Sequence, residues 1–415
     1  MAVLGAIADD LTGATDLAIT LTSAGYRTTV VLGTDDMEEV TSGELREEAD
    51  AVVVALKSRT MPVDRAVDAS LRALERLRRE GCERFYVKYC STFDSTPSGN
   101  IGPVTEAVMD ALGEDITVIA PAFPTNGRTV YRGHLFVGDD PLDESPMRHH
   151  PLTPMADSSL PRLLAPQVSG GEDAIALVPW PVVDRGAEAV REAVGRARAG
   201  GARFVVADAL TDQDLRTLAS AVEPFRLLTG GSALAQGLVG PRETDHASWE
   251  LPEGPRVVLS GSASRATQGQ VRHALETGDG HHLRAADLRG DFDGTVAAVI
   301  SAALSSGATP FVVYATASPG DVADTADASV IEEALAAIAE RLADSGVRSL
   351  LVAGGETSGA VVHRLGVGAL TLGREVDPGV AWTRGRRAGG DIHLMLKSGN
   401  FGGEDLFVRA WEAAL

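Results

Sequence analysis

The sequence predicts an α/β protein: two α/β domains with mainly parallel sheets and an active site in the inter-domain cleft. Three observations predict it. Apolar runs of strand length recur along the chain, among them "VLGAIA", "TTVVLG", "AVVVAL" and "RFYVKY". Helical periodicity fills segments between them, as at 62–80 and 186–199. Strands apolar on both faces alternating with helices imply a parallel sheet covered on both sides. Third, the pattern breaks once, at "VGPRETDHASWELPEGP" (239–255), a polar stretch with three prolines that reads as a linker. The expected domains are therefore 1–240 and 254–415.

In chain order, the first domain continues with "ITVIAPAF", "IALVPW", "RFVVADAL" and "RLLTGG". Between them, residues 124–160 are rich in turn formers, with a hairpin expected at "RTVYRGHLFV". That segment is too long and too polar for a connector and predicts a functional loop or small subdomain. The second domain offers "RVVLSGSAS", "PFVVYATAS", "SLLVAGGETSG", "ALTLGRE" and "DIHLMLKSGN".

Composition narrows the function. The 415 residues carry a net charge of −21 and 44% hydrophobic residues, with a mean hydropathy of +0.03 and a pI near 4.8. Such acidity opposes non-specific nucleic-acid binding, yet leaves room for local clusters that bind small anions. No apolar run reaches the length of a membrane span and no signal peptide is evident. Cys82 and Cys90 make no disulfide framework, so a reducing cytoplasm is expected. A homodimer is expected on frequency alone.

Ligands of open α/β sheets sit beyond the carboxyl ends of the strands, where the unusual polar sequences fall. "DDLTGATD", "KSRT" (57–60), "KYCSTFDSTPSGNIGP" (88–103) and "PAFPTNGRT" (121–129) supply the carboxylates Asp9, Asp10 and Asp94 and the cations Lys57, Arg59, Lys88 and Arg128. The mixture suits a small polyhydroxylated anion. Each residue also has a plainer role open to it: Asp9 or Asp10 as a helix N-cap, Asp94 as a turn brace, Arg128 as a solvated hairpin residue. His134 in the hairpin is a further candidate, whereas His149–His150 lacks metal-ligand spacing.

In the second domain, "LSGSAS" (259–264), "AGGETSGAV" (353–361) and "LKSGNFGGEDLF" (396–407) are glycine-rich loops after apolar strands. Backbone N–H groups of such loops hold phosphate, so a nucleotide site is expected. Lys57, Lys88 and Lys397 are the only lysines among 37 basic residues, and each opens a polar loop after an apolar run. An ammonium suits point-charge binding of phosphate or carboxylate. No Walker A, G-x-G-x-x-G, C-x-x-C, H-E-x-x-H or G-x-S-x-G motif is present.

On "IADDLTGATD", "KYCSTFDST..GNIGPV", "PAFPTNGRTVYRGHLFVG", "HPLTPM.DS", "GGETSGAV" and "LKSGNFGGEDLF", the chain resembles the four-carbon acid sugar kinase family over nearly its whole length. The resemblance implies a sugar-acid-binding N-terminal domain, a nucleotide-binding C-terminal domain, and ATP with Mg²⁺. It places the nucleotide at Ser260, Ser262, Gly355, Glu356, Thr357, Gly399, Asn400 and Gly402, and Gly354 and Lys397 of the same loops are expected to bind it as well. It places the sugar acid at Asp9, Asp10, Lys88, Asp94 and Arg128. The long "KYCSTFDSTPSGNIGP" form is similar to the branch that phosphorylates the 4-hydroxyl of 3-oxo-tetronate. D-threonate and D-erythronate kinases of the family carry a shorter form. A catalytically silent sugar-acid and nucleotide sensor is the alternative of a different class. In the kinase reading Asp10 orients or deprotonates the hydroxyl, Asp9 braces the loop or meets metal-bound water, and Glu356 is a rival metal contact. Lys88 and Arg128 would clamp the substrate carboxylate. The metal ligands are not legible in the sequence.

Overall fold

The computed structural model describes residues 3–33, 49–149, 153–242, 250–306, 310–321 and 325–412. His150 and residues 243–249 of the expected linker lie outside them. The chain divides into two compact units, Met1–Asp245 and His246–Leu415.

In the first unit, five parallel strands form the main sheet: β1 (Leu4–Ala8), β2 (Thr28–Leu32), β3 (Ala51–Ala55), β4 (Arg84–Lys88) and, after three more segments of chain, β11 (Leu227–Gly230). Their order is β11-β4-β1-β3-β2. β1 and β3 are buried along their whole length, which explains their unbroken apolar runs. Helix α1 (Leu11–Ser23) follows β1, and α2 (Val63–Arg79) follows β3. α2 buries Ala66, Ser70, Ala73, Leu74 and Leu77, the stripe that the helical period predicts. Helix α3 (Ile101–Leu112) follows β4 and ends on Gly113 in the left-handed region.

The sequence gives no sign that this unit holds three sheets. Strands β5 (Thr117–Ile119), β9 (Ile175–Val178) and β10 (Phe204–Ala207) make a separate parallel sheet, ordered β5-β10-β9. The expected hairpin is present as β6 (Arg128–Tyr131) and β7 (His134–Val137), extended by β8 (Asp140–Pro141). At its tip Arg132 takes φ +53° and Gly133 φ +76°. The tip is held by Asp208, fully buried, whose carboxylate accepts from the N–H groups of Arg132 (2.6 Å), Gly133 (2.8 Å) and Trp180 (2.8 Å).

The second unit has seven strands. β12 (Val257–Ser260), β13 (Gly280–His282), β14 (Phe311–Tyr314), β15 (Ser349–Ala353) and β18 (Gly390–Lys397) are parallel, while β16 (Ala369–Asp377) and β17 (Val380–Arg387) run antiparallel beside β18. The order is β16-β17-β18-β15-β12-β14-β13. The sheet is thus mixed, and β13 and β17 go beyond the strands expected from sequence. β17 reads Val-Ala-Trp-Thr followed by Arg-Gly-Arg-Arg; its apolar run is short and a basic stretch follows it, so a search for long apolar runs passes over it. Trp382 of β17 packs on Trp411, ring centroids 5.0 Å apart, within an apolar core that includes Val258, Val271, Leu351 and Phe407. Among the described residues no helix is long and apolar enough to cross a membrane.

Candidate functional site

In the first unit, β1 lies between β3 and β4 although β2 and β3 follow it in sequence. The strand order reverses there, and loops leaving the carboxyl ends of β1, β3 and β4 converge. They bring Asp9 and Asp10, Arg59, and Lys88 with Asp94 together.

Arg59 is the hub. Its Nε and Nη2 donate to the two oxygens of Asp9 at 2.7 and 2.9 Å, a bidentate fork. Its Nη2 also lies 3.1 Å from Asp10 Oδ2, and Nη1 lies 4.0 Å from Asp94 Oδ2. The adjacent acids are therefore compensated by one guanidinium, and Arg59 is committed to carboxylates of its own chain. The backbone reinforces the arrangement: the N–H groups of Ser58 and Arg59 donate to Asp9 O at 2.9 and 3.2 Å.

Asp10 does two things. It caps α1, accepting from Gly13 N–H at 2.6 Å and from the Thr12 hydroxyl at 3.2 Å. Burial alone would raise its pKa. The charges of Arg59 and Lys88, with the Gly13 and Thr12 donors, outweigh burial and hold the carboxyl below its ordinary value. Asp10 is thus ionised at neutral pH. Burial would in turn lower the Arg59 pKa, but Asp10 and Asp9 keep it well above the ordinary value. A Cβ on Gly13 would sit 2.4 Å from Asp10 Oδ1 and 3.0 Å from Lys88 Nζ, so this helical glycine is what lets the pair approach α1.

Lys88 is 3% exposed and donates to Tyr89 O at 3.0 Å. The loop after it is strained: Phe93 takes φ +51° while fully buried, edge-on to Tyr89 at 5.6 Å. Next to it, Asp94 accepts from the Thr92 hydroxyl at 2.6 Å. Cys90, in the same loop, has its thiol pushed up to about 11 by burial and by Asp94.

Other expected residues lie on other elements or have other partners. Arg128 and His134 belong to the hairpin sheet, where Arg128 donates to Asn126 O and His134 Nδ1 lies 3.0 Å from the Ser158 hydroxyl. The buried Arg128 Nε has no hydrogen-bond partner among the described residues. Lys57 is exposed at the end of β3. One contributor was not singled out from sequence. Asn100 Nδ2 donates to Ser58 O (2.7 Å) and Met61 O (3.1 Å), fixing the turn that carries Arg59. The sequence signs of Asn100 are its place just before α3 and its presence in the "GNIGPV" stretch.

In the second unit β18, β15 and β12 are neighbours, which brings the three glycine-rich loops together. Gly261 and Ser262 N–H donate to Ala353 O at 3.1 and 3.2 Å, and Gly354 N–H donates to Lys397 O at 3.0 Å. Gly354 takes φ +123° and precedes the helix α12 (Gly355–Arg364), whose first turn holds Glu356 and Thr357 and has no side-chain cap. Uncapped N–H groups at a helix start favour an anion. Close approach is built in: a Cβ on Gly261 would meet Thr357 Oγ1 at 2.2 Å, and one on Gly399 would meet Ser262 Oγ at 2.6 Å.

Two expected nucleotide contacts are sealed. Ser260 and Lys397 are both 0% exposed. The strand end buries the Ser260 side chain, and Lys397 turns inward. Its Nζ donates to Thr267 Oγ1 (2.8 Å) and Gly399 O (3.0 Å), with the Phe407 ring 6.0 Å away. Lys397 is thus not the surface point charge that its place after an apolar run suggested, and burial lowers its pKa to about 7. Ser264, Thr267 and Gln270, which sequence reading did not single out, also hold the 399–403 loop. They lie on or just before helix α8 (Arg265–Leu275), where helical periodicity disguises them as ordinary core positions.

Known proteins resemble the chain throughout. Residues 4–238 match a family described as a sugar-binding N-terminal domain, and residues 257–407 a nucleotide-binding C-terminal domain. A 3-oxo-tetronate kinase of Cupriavidus necator is 49% identical, the alignment covering 98% of this chain and 96% of that one. One of Pectobacterium atrosepticum is 42% identical, covering 99% of both. Among solved structures, a Salmonella typhimurium LT2 protein provisionally labelled a tRNA synthase superposes with a TM-score of 0.88 at 40% identity, covering 99% of each chain. A Haemophilus influenzae protein gives 0.77 at 40% identity, covering 99% of this chain and 100% of its own.

Proposed function

The chain belongs to the four-carbon acid sugar kinase family, and from that premise we propose that it transfers the γ-phosphoryl group of ATP to the 4-hydroxyl of 3-oxo-tetronate in sugar-acid catabolism. The observation that carries the substrate is the full-length similarity to 3-oxo-tetronate kinases, at 42–49% identity. The chemistry of each unit agrees. The first presents acidic and basic side chains suited to a hydroxylated acid, and the second presents glycine backbone and hydroxyls suited to phosphates.

Phosphoryl transfer asks the protein chiefly for positioning and charge balance. Asp10, held ionised, accepts the hydrogen bond of the 4-hydroxyl and orients its oxygen. A carboxylate with a depressed pKa is a weak base, so orientation is the larger part of its role. Asp9, locked in the Arg59 fork, is the brace. Lys88, an ammonium with three donors, has capacity beyond Tyr89 O for the substrate carboxylate. Mg²⁺ accompanies ATP and, when bound, neutralises charge on the β- and γ-phosphates. Asp10 and the exposed Glu356 are oxygen donors of the type it takes. The two cysteines are free thiols, in keeping with a cytoplasmic protein.

The test is ADP release with MgATP and, separately, 3-oxo-tetronate generated in situ by a dehydrogenase, D-threonate and D-erythronate. Release with the 3-oxo acid alone is expected. Faster release with a reduced acid would keep the kinase and reassign its substrate. MgATP binding without release from any acid would favour the sensor.

A further inference from the structure

The loop 398–403 after β18 is held by its carbonyls. Gly399 O accepts from Lys397 Nζ (3.0 Å), from Thr267 Oγ1 (2.8 Å) and from the Ser264 hydroxyl. Phe401 O, Gly402 O and Gly403 O all accept from one amide nitrogen, Gln270 Nε2, at 3.0, 2.9 and 3.0 Å. Both Lys397 and Gln270 are completely buried. Gln270 leaves its own Oε1 without a partner among the described residues. A buried acceptor left unpaired is costly, so the position gives up stability to keep Nε2 beneath three carbonyls.

A trans peptide points its carbonyl and the following N–H in opposite directions. Carbonyls drawn down onto α8 therefore turn the next N–H groups the other way. Gly403 N–H shows the effect: paired with the clamped Gly402 carbonyl, it donates outward to Asp377 Oδ2 at 2.7 Å. By the same geometry the N–H groups of Asn400 and Gly402, paired with the clamped Gly399 and Phe401 carbonyls, face away from the clamp. Neither has a hydrogen-bond partner among the described residues. Gly402 at φ +85° provides the backbone conformation that the turn requires.

We propose that Lys397 and Gln270 are positioning residues for the nucleotide: they clamp the loop carbonyls so that the Asn400 and Gly402 N–H groups are presented to its phosphates. The proposal rests on the kinase reading for the identity of the ligand. It gives Lys397 a role through Gly399 in place of a direct phosphate contact, and it gives Gln270 a role although that side chain never reaches the surface.

The test is equilibrium binding of MgATP and of adenosine to the full chain by calorimetry, for wild type, Gln270→Met, Lys397→Met and the double variant. Each single variant is expected to weaken MgATP about tenfold and to leave adenosine unchanged, because only the phosphates read the loop. The double variant is expected to fall well short of the roughly hundredfold product, because both act on one loop. If Lys397→Met does not fold, Thr267→Val takes its place, removing a donor to the same carbonyl. A folded Gln270→Met with MgATP affinity within about twofold of wild type overturns the proposal. So does equal weakening of MgATP and adenosine, or effects that multiply. A wild type that binds MgATP but phosphorylates no 3-oxo-tetronate overturns the substrate assignment while the binding comparison still decides this one.

Discussion

The two units place their functional loops alike, at the carboxyl ends of neighbouring parallel strands, and furnish them with opposite materials. The first unit gathers acidic and basic side chains: three carboxyl groups around Arg59, with Lys88 beside them. The second gathers backbone, glycines and hydroxyls, and buries its one lysine out of reach. A hydroxyl that must be aimed needs a charged acceptor in a fixed place. A polyphosphate needs many donors at close range, which N–H groups supply only where no Cβ intervenes. Substitutions should therefore hurt turnover in the first unit and nucleotide affinity in the second.

Asp10→Asn gives the sharpest break. Asn still caps α1, so the fold and the MgATP KM should hold while kcat falls by about 10²-fold, the low end of the acid–base range, because orientation is the larger part of the Asp10 role. Steady-state kinetics beside a melting curve checks it. Unchanged kcat would remove Asp10 from the reaction.

Arg59→Met comes next and acts on stability. It takes from Asp9 and Asp10 the guanidinium that faces both, with Lys88 left as the remaining cation acting on Asp10, at a partly buried point; this should cost about 2–3 kcal/mol, less than for a fully buried pair. The pH dependence has a definite sign. The Asp10 pKa is depressed in the folded chain, so its stabilisation is complete above the unfolded value of 3.8 and is lost as pH falls through the folded value. The melting-temperature gap between wild type and variant should be widest near pH 7 and narrow on acidification. A gap independent of pH would show that Arg59 acts by packing.

Two glycines sharpen the comparison. Gly13→Ala would ordinarily favour a helix by about 1 kcal/mol. Here its Cβ meets Asp10 and Lys88, and kcat should drop about tenfold with MgATP KM unchanged. Gly402→Ala meets Leu406 at 2.4 Å on a backbone of φ +85° and should do the reverse, raising MgATP KM about tenfold at near-constant kcat. Matching phenotypes from the two would erase the division of labour. The smallest effect is at Cys90. With its thiol pushed up to about 11, alkylation by iodoacetamide at pH 7.5 should be slow, and Cys90→Ser should keep kcat within about twofold.

Much of this was legible beforehand because apolar runs, helical periodicity and strand-end polarity are local. They placed β1, β3, β4, α2 and the hairpin, and they marked Asp9, Asp10, Arg59, Lys88 and Asp94 as neighbours. What escaped is non-local. That β5, β9 and β10 leave the main sheet depends on pairing, which no single run encodes. Lys397 is the instructive case: its position after an apolar run suggests an open point charge, yet it is sealed by Thr267 and Phe407, 130 residues before it and ten after. Gln270 was hidden for the opposite reason, since a polar residue on a helix is unremarkable until its face is known to be buried.

The hairpin tip at Arg132–Gly133 has a consequence for deuterium exchange. Amides at the tip of a short two-stranded hairpin ordinarily exchange through fraying. Here both donate to the fully buried carboxylate of Asp208, which also holds the N–H of Trp180, at the start of the short helix Trp180–Val183 that follows β9. Their protons can leave only when that carboxylate lets go, an event that opens β9 and β10 as well. The outermost turn of the hairpin should thus label on the slow clock of the sheet beneath it, and Asp208→Asn should move it to the fast one.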